Sequence, residues 1–334
     1  MHHWRTNGGL VSFFALIDTS SQYFLELILS LITRRRRANK LSPSRTILAF
    51  PAVIGLLLLA LACGYSQAAA TPSANQLAVV TTTALLADLA RNVGGDLVEV
   101  TALVPAGADV HSFQSTPADS VAINRADLVV SNGGDLDGFL NPLIQGSLSD
   151  DAVRVVAAAP LLKTGGTDPH FWQNPIFTEN YIEEIRDGLI KADPENSLDY
   201  QVNFDSYKKD LAKLDFDIAS MLDTVDPARR RLITFHDAFG HFAQRYGWEA
   251  SAFVASDGSQ ISPGRVVEML EQVREQGIPA VFAEPQFRSD ILENSAHEAG
   301  IEVGTIYSDV LDGNVTSYID MMLFNANTLA RLLR

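Results

Sequence analysis

Five polar residues of this chain stand just beyond short apolar runs, and their types could do chemistry. His111 follows LVEVTALVP, and His170 follows VRVVAAAP and a short loop. His236 comes at once after RLITF, Glu284 after PAVFA, and Asp309 after EVGTIYS. Three imidazoles and a carboxylate suit a divalent metal ion of borderline softness such as zinc, and also admit manganese. The chain has no HExxH pair and no CxxC spacing, so a site would have to be assembled from distant segments. Four protein ligands leave no open position for a reacting water, which favours binding over catalysis. Dispersed ligands are a weak pattern, and on spacing alone scattered loop histidines remain the alternative.

These residues need elements to position them. After GYSQAAATPSANQ the chain alternates short apolar strands with amphipathic helices, first from LAVVTTT to VRVVAA and again from RLITF to EVGTIYS. That β-α-β-α order predicts parallel sheets with helices on both faces. Between the two halves, Tyr200, Phe204, Tyr207, Leu211, Leu214, Ile218, Met221 and Val225 recur at alternating steps of four and three. No proline or glycine falls between Glu195 and Val225. A helix of about 27 residues would span roughly 40 Å, and a two-stranded coiled coil is the alternative use of such a seam. The predicted fold is α/β: two lobes joined by one long rigid helix, with a ligand in the cleft at the strands' carboxyl ends. The expected division is a targeting segment and linker start at 1–70, one lobe at 71–194, the helix at 195–225 and a second lobe at 226–334.

Composition narrows the function classes. The chain carries 25 Lys/Arg and 40 Asp/Glu, a formal net charge of −15. Seven of the basic residues and only two acids lie in residues 1–63, so the rest carries a net charge of −20. That argues against nucleic acid, which requires a basic face. RRRRANKLSPSR followed by TILAFPAVIGLLLLALAC reads as a charged region and a short apolar core of an export signal. The apolar run from Ile47 to Ala62 is short for a membrane span, which needs about 20 residues. Cys63, the only cysteine, follows Ala60-Leu61-Ala62 and reads as a lipidation site. Cleavage after Ala68-Ala69-Ala70 is the alternative, and a start codon placed too early would explain the long lead. The predicted location is therefore outside the cytoplasm, periplasmic or at the cell surface, with Cys63 as a lipid anchor to the membrane.

GADVHSFQSTPAD, DPHFWQNP, LITFHDAFGHFAQRYGW, VFAEPQF and SYIDMMLFNANTL, in this order, resemble the motifs of the zinc/manganese solute-binding proteins of ABC importers. This is the cluster A-I family of periplasmic metal-binding proteins, which includes adhesin-like lipoproteins. The resemblance covers about residues 77–334. It implies two α/β lobes on a rigid helix, and Zn2+ or Mn2+ as the transported ligand. It also implies metal ligands at His111, His170, His236 and Asp309, a membrane permease as partner, and no enzyme activity. A monomer is expected. Two departures stand out: Asp109-Val110-His111 where the family usually has D-P-H, and Trp172-Gln173-Asn174-Pro175 where it usually has W-L-D-P. Asn174 can still cap the following helix. APLLKTGGT has no histidine, so it lacks the His-rich loop common in zinc-specific members, whereas His236 leans toward zinc or toward the mixed His₃Asp type of the family.

Other residues carry secondary expectations. Glu284 is expected behind a ligand, hydrogen-bonding its imidazole, with an ion pair to Arg288 as the alternative. Asp312 could compete with Asp309. His241 is read as packing or as a donor behind the ligands, and Trp172 as an apolar wall of the cleft. Binding needs neutral imidazoles, so affinity is expected to fall as pH drops toward and below about 6. The alternative functions are a binding protein for a chelated metal or haem, and a zinc-dependent hydrolase with Glu284 as base.

Overall fold

The computed structural model describes residues 76–164, 167–255 and 262–334. Cys63 and Ala68-Ala69-Ala70 lie outside the described residues. Strands β1 (Leu77–Thr81), β2 (Val98–Ala102), β3 (Leu128–Ser131) and β4 (Val153–Val156) form a parallel sheet in the order β2-β1-β3-β4. Strands β5 (Arg231–His236), β6 (Glu249–Val254), β7 (Ala280–Ala283) and β8 (Glu302–Thr305) form a second, in the order β6-β5-β7-β8. The two halves are thus topological copies. In each, the chain leaves the first strand to one side and later crosses to the other. This puts a switch point between β1 and β3, and between β5 and β7, where α/β sheets bind ligands.

Strand residues are buried on both sides for a simple geometric reason. Val79, Leu128, Val130, Val153 and Val155 face the main core, while Val80 and Val129 face a second cluster with Leu103, Ile123, Leu140 and Ile144. Alternate side chains of a strand point to opposite faces, so helices must cover both. The main core is continuous through both halves, from Val79 to Leu333.

The helices are α1 (Ala84–Gly94), α2 (Pro117–Arg125), α3 (Asn141–Ser147), α4 (Ala159–Leu162) and α5 (Pro175–Ala192). The remainder are α6 (Ser197–Leu222), α7 (Gly240–Tyr246), α8 (Pro263–Glu275), α9 (Asp290–Ala299) and α10 (Tyr318–Leu332). Local chemistry sets their ends. Thr83 Oγ1 accepts the Leu86 amide at 3.3 Å to start α1, and Gly95 at φ 58° ends it. Asn174 Oδ1 accepts the Ile176 amide at 3.0 Å and Pro175 fills the first turn, so the cap expected of Asn174 is present. The sequence reading did not draw the extent of α5, although Tyr181, Ile185 and Leu189 form its buried stripe. Gly188 lets α5 lie directly on the sheet, because a Cβ there would stand 2.5 Å from Val155 Cγ2.

The long helix α6 has 26 residues, about 40 Å of axis. Pro194–Asn196 form a separate 3₁₀ turn ahead of it. Its buried stripe packs on α5, α1 and α10 of the same chain, which occupies the seam a coiled-coil partner would need. The start of α10 returns to the first half, where the Tyr318 amide donates to Asp88 Oδ2 of α1 at 2.9 Å. Among the described residues, no helix is long and apolar enough to cross a membrane.

Candidate metal centre

His170 is held by its own turn. Asp168 Oδ1 accepts the His170 backbone amide at 3.0 Å and lies 2.7 Å from the ring Nδ1. Burial raises the Asp168 carboxyl, but its hydrogen bonds and charge contact with His170 outweigh that and hold it below its ordinary value. An ionised Asp168 keeps the ring proton on Nδ1 and leaves Nε2 as a bare donor. The buried Pro169 carbonyl accepts Asn132 Nδ2 at 3.2 Å, and Asn132 Oδ1 accepts the Tyr181 hydroxyl at 2.8 Å. Beneath them, buried Asp137 accepts the amides of Asn132 and Gly133 and the Thr82 hydroxyl. The end of β3 therefore braces the His170 loop.

His111 uses the same device. It lies in a one-turn 3₁₀ helix, Val110–Ser112, and Asp109 Oδ1 accepts its amide at 2.9 Å. The aspartate two residues ahead sets this turn with valine at 110. Gly107, at φ 77°, donates its amide to Leu311 O of the other half at 2.8 Å.

His236 is the last residue of β5, at the second sheet's switch point, rather than a loop residue. Glu284, just past β7, accepts the His236 amide through Oε1 at 3.0 Å, and its Oε2 contacts the ring Nδ1. Glu284 therefore pairs with His236, while Arg288 pairs with Asp290 on the surface.

These turns bring four donors together. One ligand atom from each of His111, His170, His236 and Asp309 lies within 4.8 Å of the others. Asp309 oxygens stand 3.5, 3.6 and 3.2 Å from the Nε2 atoms of His111, His170 and His236. Four tetrahedral donors at zinc bond lengths of about 2.0–2.2 Å are separated by about 3.3–3.6 Å. All three Nε2 atoms and Asp309 Oδ1 are buried without a hydrogen-bond partner. Buried polar atoms are rarely left so, and a cation at their centre would satisfy all four.

The electrostatics match. Burial disfavours charge on the His236 ring, but the carboxylates of Glu284 and Asp309 overcome it and its pKa is pushed up to about 11. Burial also raises Asp309, yet its contacts with His236, His111 and His170 hold its carboxyl well below the ordinary range. Glu284→Gln keeps the shape but removes the charge behind His236. Zinc affinity is expected to fall about 10–100-fold; competition with a chromogenic chelator measures it, and an unchanged affinity would deny Glu284 this role.

The other candidates fall outside the donor set. Asp312 accepts the amides of Asn314 and Val315 and the Tyr307 hydroxyl. His241 stacks on Phe171 at 4.5 Å between centroids, and its Nε2 lies 3.1 Å from Asp168 O across the cleft. Trp172 stands edge-on to His170 at 5.2 Å and donates its indole N–H to Ser308 O at 2.8 Å, so this wall also carries a polar contact. The sequence reading missed Asp168, Gln286 and Phe287. The repeated Asp-x-His spacing at 109–111 and 168–170 could have pointed to Asp168. Gln286 Nε2 donates to Ser308 Oγ at 2.7 Å, and Phe287 lies 4.8 Å from the His236 ring and 6.4 Å from that of His111.

Two parallel-sheet halves whose strand ends and loops bring four metal-type donors to one point define a two-lobed binding protein for a metal ion. Residues 79–332 match the family described as zinc-uptake complex component A, periplasmic, and the chain belongs to that family. It is the extracytoplasmic substrate-binding component of a metal-uptake system and not an enzyme. The manganese-binding lipoprotein MntA of Halalkalibacterium halodurans is 28% identical over 284 residues, 83% of this chain and 95% of its own. The iron-binding protein YfeA of Yersinia pestis is 30% identical over 298 residues, covering 86% and 94%. The periplasmic zinc binding protein TroA from Treponema pallidum has the same fold, with a TM-score of 0.71 at 24% identity, covering 77% of this chain and 99% of its own.

Proposed function

We propose that the exported chain captures one divalent first-row metal ion with His111, His170, His236 and Asp309 and delivers it to the membrane permease of an ABC importer. The observation that carries this reading is the set of four buried donor atoms within 4.8 Å of one another, supplied by both halves. Zinc is favoured, because three imidazoles and one carboxylate suit it better than manganese, which takes more oxygen ligands. Relatives named for manganese, iron and zinc keep manganese as the second ion. The working division is a lobe at 71–194, a connecting helix at 195–225 and a lobe at 226–334, acting as a monomer. Lipidation of Cys63 is supported by the small residues before it and by the lipoprotein relatives.

The alternatives fit less well. A chelated metal or haem needs a wide cleft, whereas the His170 and His236 side chains are fully buried and their Nε2 atoms stand 3.6 and 3.2 Å from Asp309. Four converging protein donors also leave a hydrolase no position for its water. Chelator-stripped full chain titrated with Zn2+ and Mn2+ in a calorimeter is expected to bind one ion per chain, zinc more tightly. No saturable binding of either ion, or a stoichiometry other than one, rules the reading out.

A further inference from the structure

The peptide that carries Asp309 is fastened from the opposite half of the molecule. Ser308 O accepts the Trp172 indole N–H at 2.8 Å and Gln173 Nε2 at 3.0 Å, across sequence separations of 136 and 135 residues. Both donors are buried. Trp172 is itself pinned, because its carbonyl accepts the Tyr318 hydroxyl at 2.7 Å and lies 3.3 Å from the Thr178 hydroxyl. On the far side, Ser308 Oγ donates to Glu284 and accepts Gln286 Nε2. His170 stands two residues before Trp172, and Asp309 is the residue after Ser308. These bonds therefore set the spacing of His170 and Asp309, whose Nε2 and Oδ1 lie 3.6 Å apart. By contrast, the His111 loop reaches the Asp309 segment through a main-chain bond from Gly107 N to Leu311 O.

Gln173 departs from the W-L-D-P pattern of the resemblance, and leucine there would have no donor. Burial of glutamine at 173 carries a cost, since its Oε1 has no hydrogen-bond partner. Leucine would fill similar volume without that orphan. The polar contact that distinguishes glutamine from leucine here is the bond to Ser308. A carbonyl oxygen has two lone pairs, so indole and amide can occupy both, and in a buried setting water does not compete.

Resting on the metal-binding reading above, we propose that Gln173 is a positioning residue. With Trp172 it forms an interlobe clamp on Ser308 O that holds Asp309 in register with His170 and slows release of the bound metal. The clamp acts through pre-organisation: a ligand pair already in place has less chain freedom to lose on binding and less to regain by letting go. Its effect falls mainly on the dissociation rate.

The test uses the full chain loaded with Zn2+, chased with excess chelator in a stopped-flow instrument. Gln173→Met keeps the side-chain length and removes the donor. It is expected to retain one ion per chain and to release zinc about three- to tenfold faster, and Trp172→Phe is expected to do the same. An unchanged release rate in Gln173→Met overturns the clamp, whatever happens to stability. Faster release with unchanged melting of the metal-free protein supports it. If melting also drops, the visible absorption of the Co2+-loaded variant decides: an altered spectrum supports displaced ligands, and the wild-type spectrum overturns the clamp in favour of general loosening. Failure of the wild-type chain to load metal removes the binding reading and the clamp with it, whereas loading with equal release in the variant removes the clamp alone.

Discussion

His170→Ala is expected to weaken zinc binding by about 10²–10³-fold. Zinc sites built wholly from protein ligands bind with about 10–16 kcal/mol, so each of four donors carries roughly 2.5–4 kcal/mol, and each 1.4 kcal/mol is a factor of ten. The loss extends beyond one nitrogen. Asp168 loses its ring partner at 2.7 Å, leaving a part-buried carboxylate without the imidazole that lowers its pKa. Calorimetric titration of the variant reads the affinity directly. Melting of the metal-free form shows whether the variant still folds, and exposed His297→Ala on α9 provides a control expected to bind as wild type. Undiminished binding by His170→Ala would remove the ligand assignment.

Zinc affinity is expected to rise about tenfold for each pH unit between about pH 6 and pH 8. The reason is the proton on His236. Glu284 and Asp309 overcome burial and push its pKa up to about 11, so the metal-free site holds that proton throughout this range. Metal binding must expel it, and the metal-free form therefore carries the extra proton; raising pH favours the bound form. The sequence alone had placed the fall in affinity near and below pH 6, and the buried carboxylate pair extends it upward. Stability of the metal-free fold runs the other way. A charged His236 stabilises that fold fully below the ordinary imidazole pKa of about 6.5, and the contribution is lost as pH rises toward 11. Calorimetry in buffers of different ionisation enthalpy counts the protons released. About one proton per zinc at pH 7.5 supports the assignment, and none excludes a protonated His236.

Much of the architecture was legible because it is periodic. Strand runs, the seam of α6 and the cap at Asn174 are local patterns, readable within a window of a few residues. The donor set was legible for a different reason: each donor follows a predicted strand, and parallel sheets collect such ends on one edge. The bounds of α5 come from the structure, although its cap at Asn174 and its stripe of Tyr181, Ile185 and Leu189 are local patterns too.

By itself, the sequence determined the alternation of strands and helices, the long helix, the acidic chain behind a basic leader, and the residue types able to hold a metal. Only the tertiary structure decided which of them meet. The order β2-β1-β3-β4, repeated in the second sheet, puts His236 at a switch point. The Asx turns aim His111 and His170, and Glu284 backs His236 instead of pairing with Arg288. The bond from Gln173 to Ser308 joins residues 135 positions apart. Such contacts leave no local trace, because their free energy comes from burial and alignment that exist only once both halves have packed on the same core.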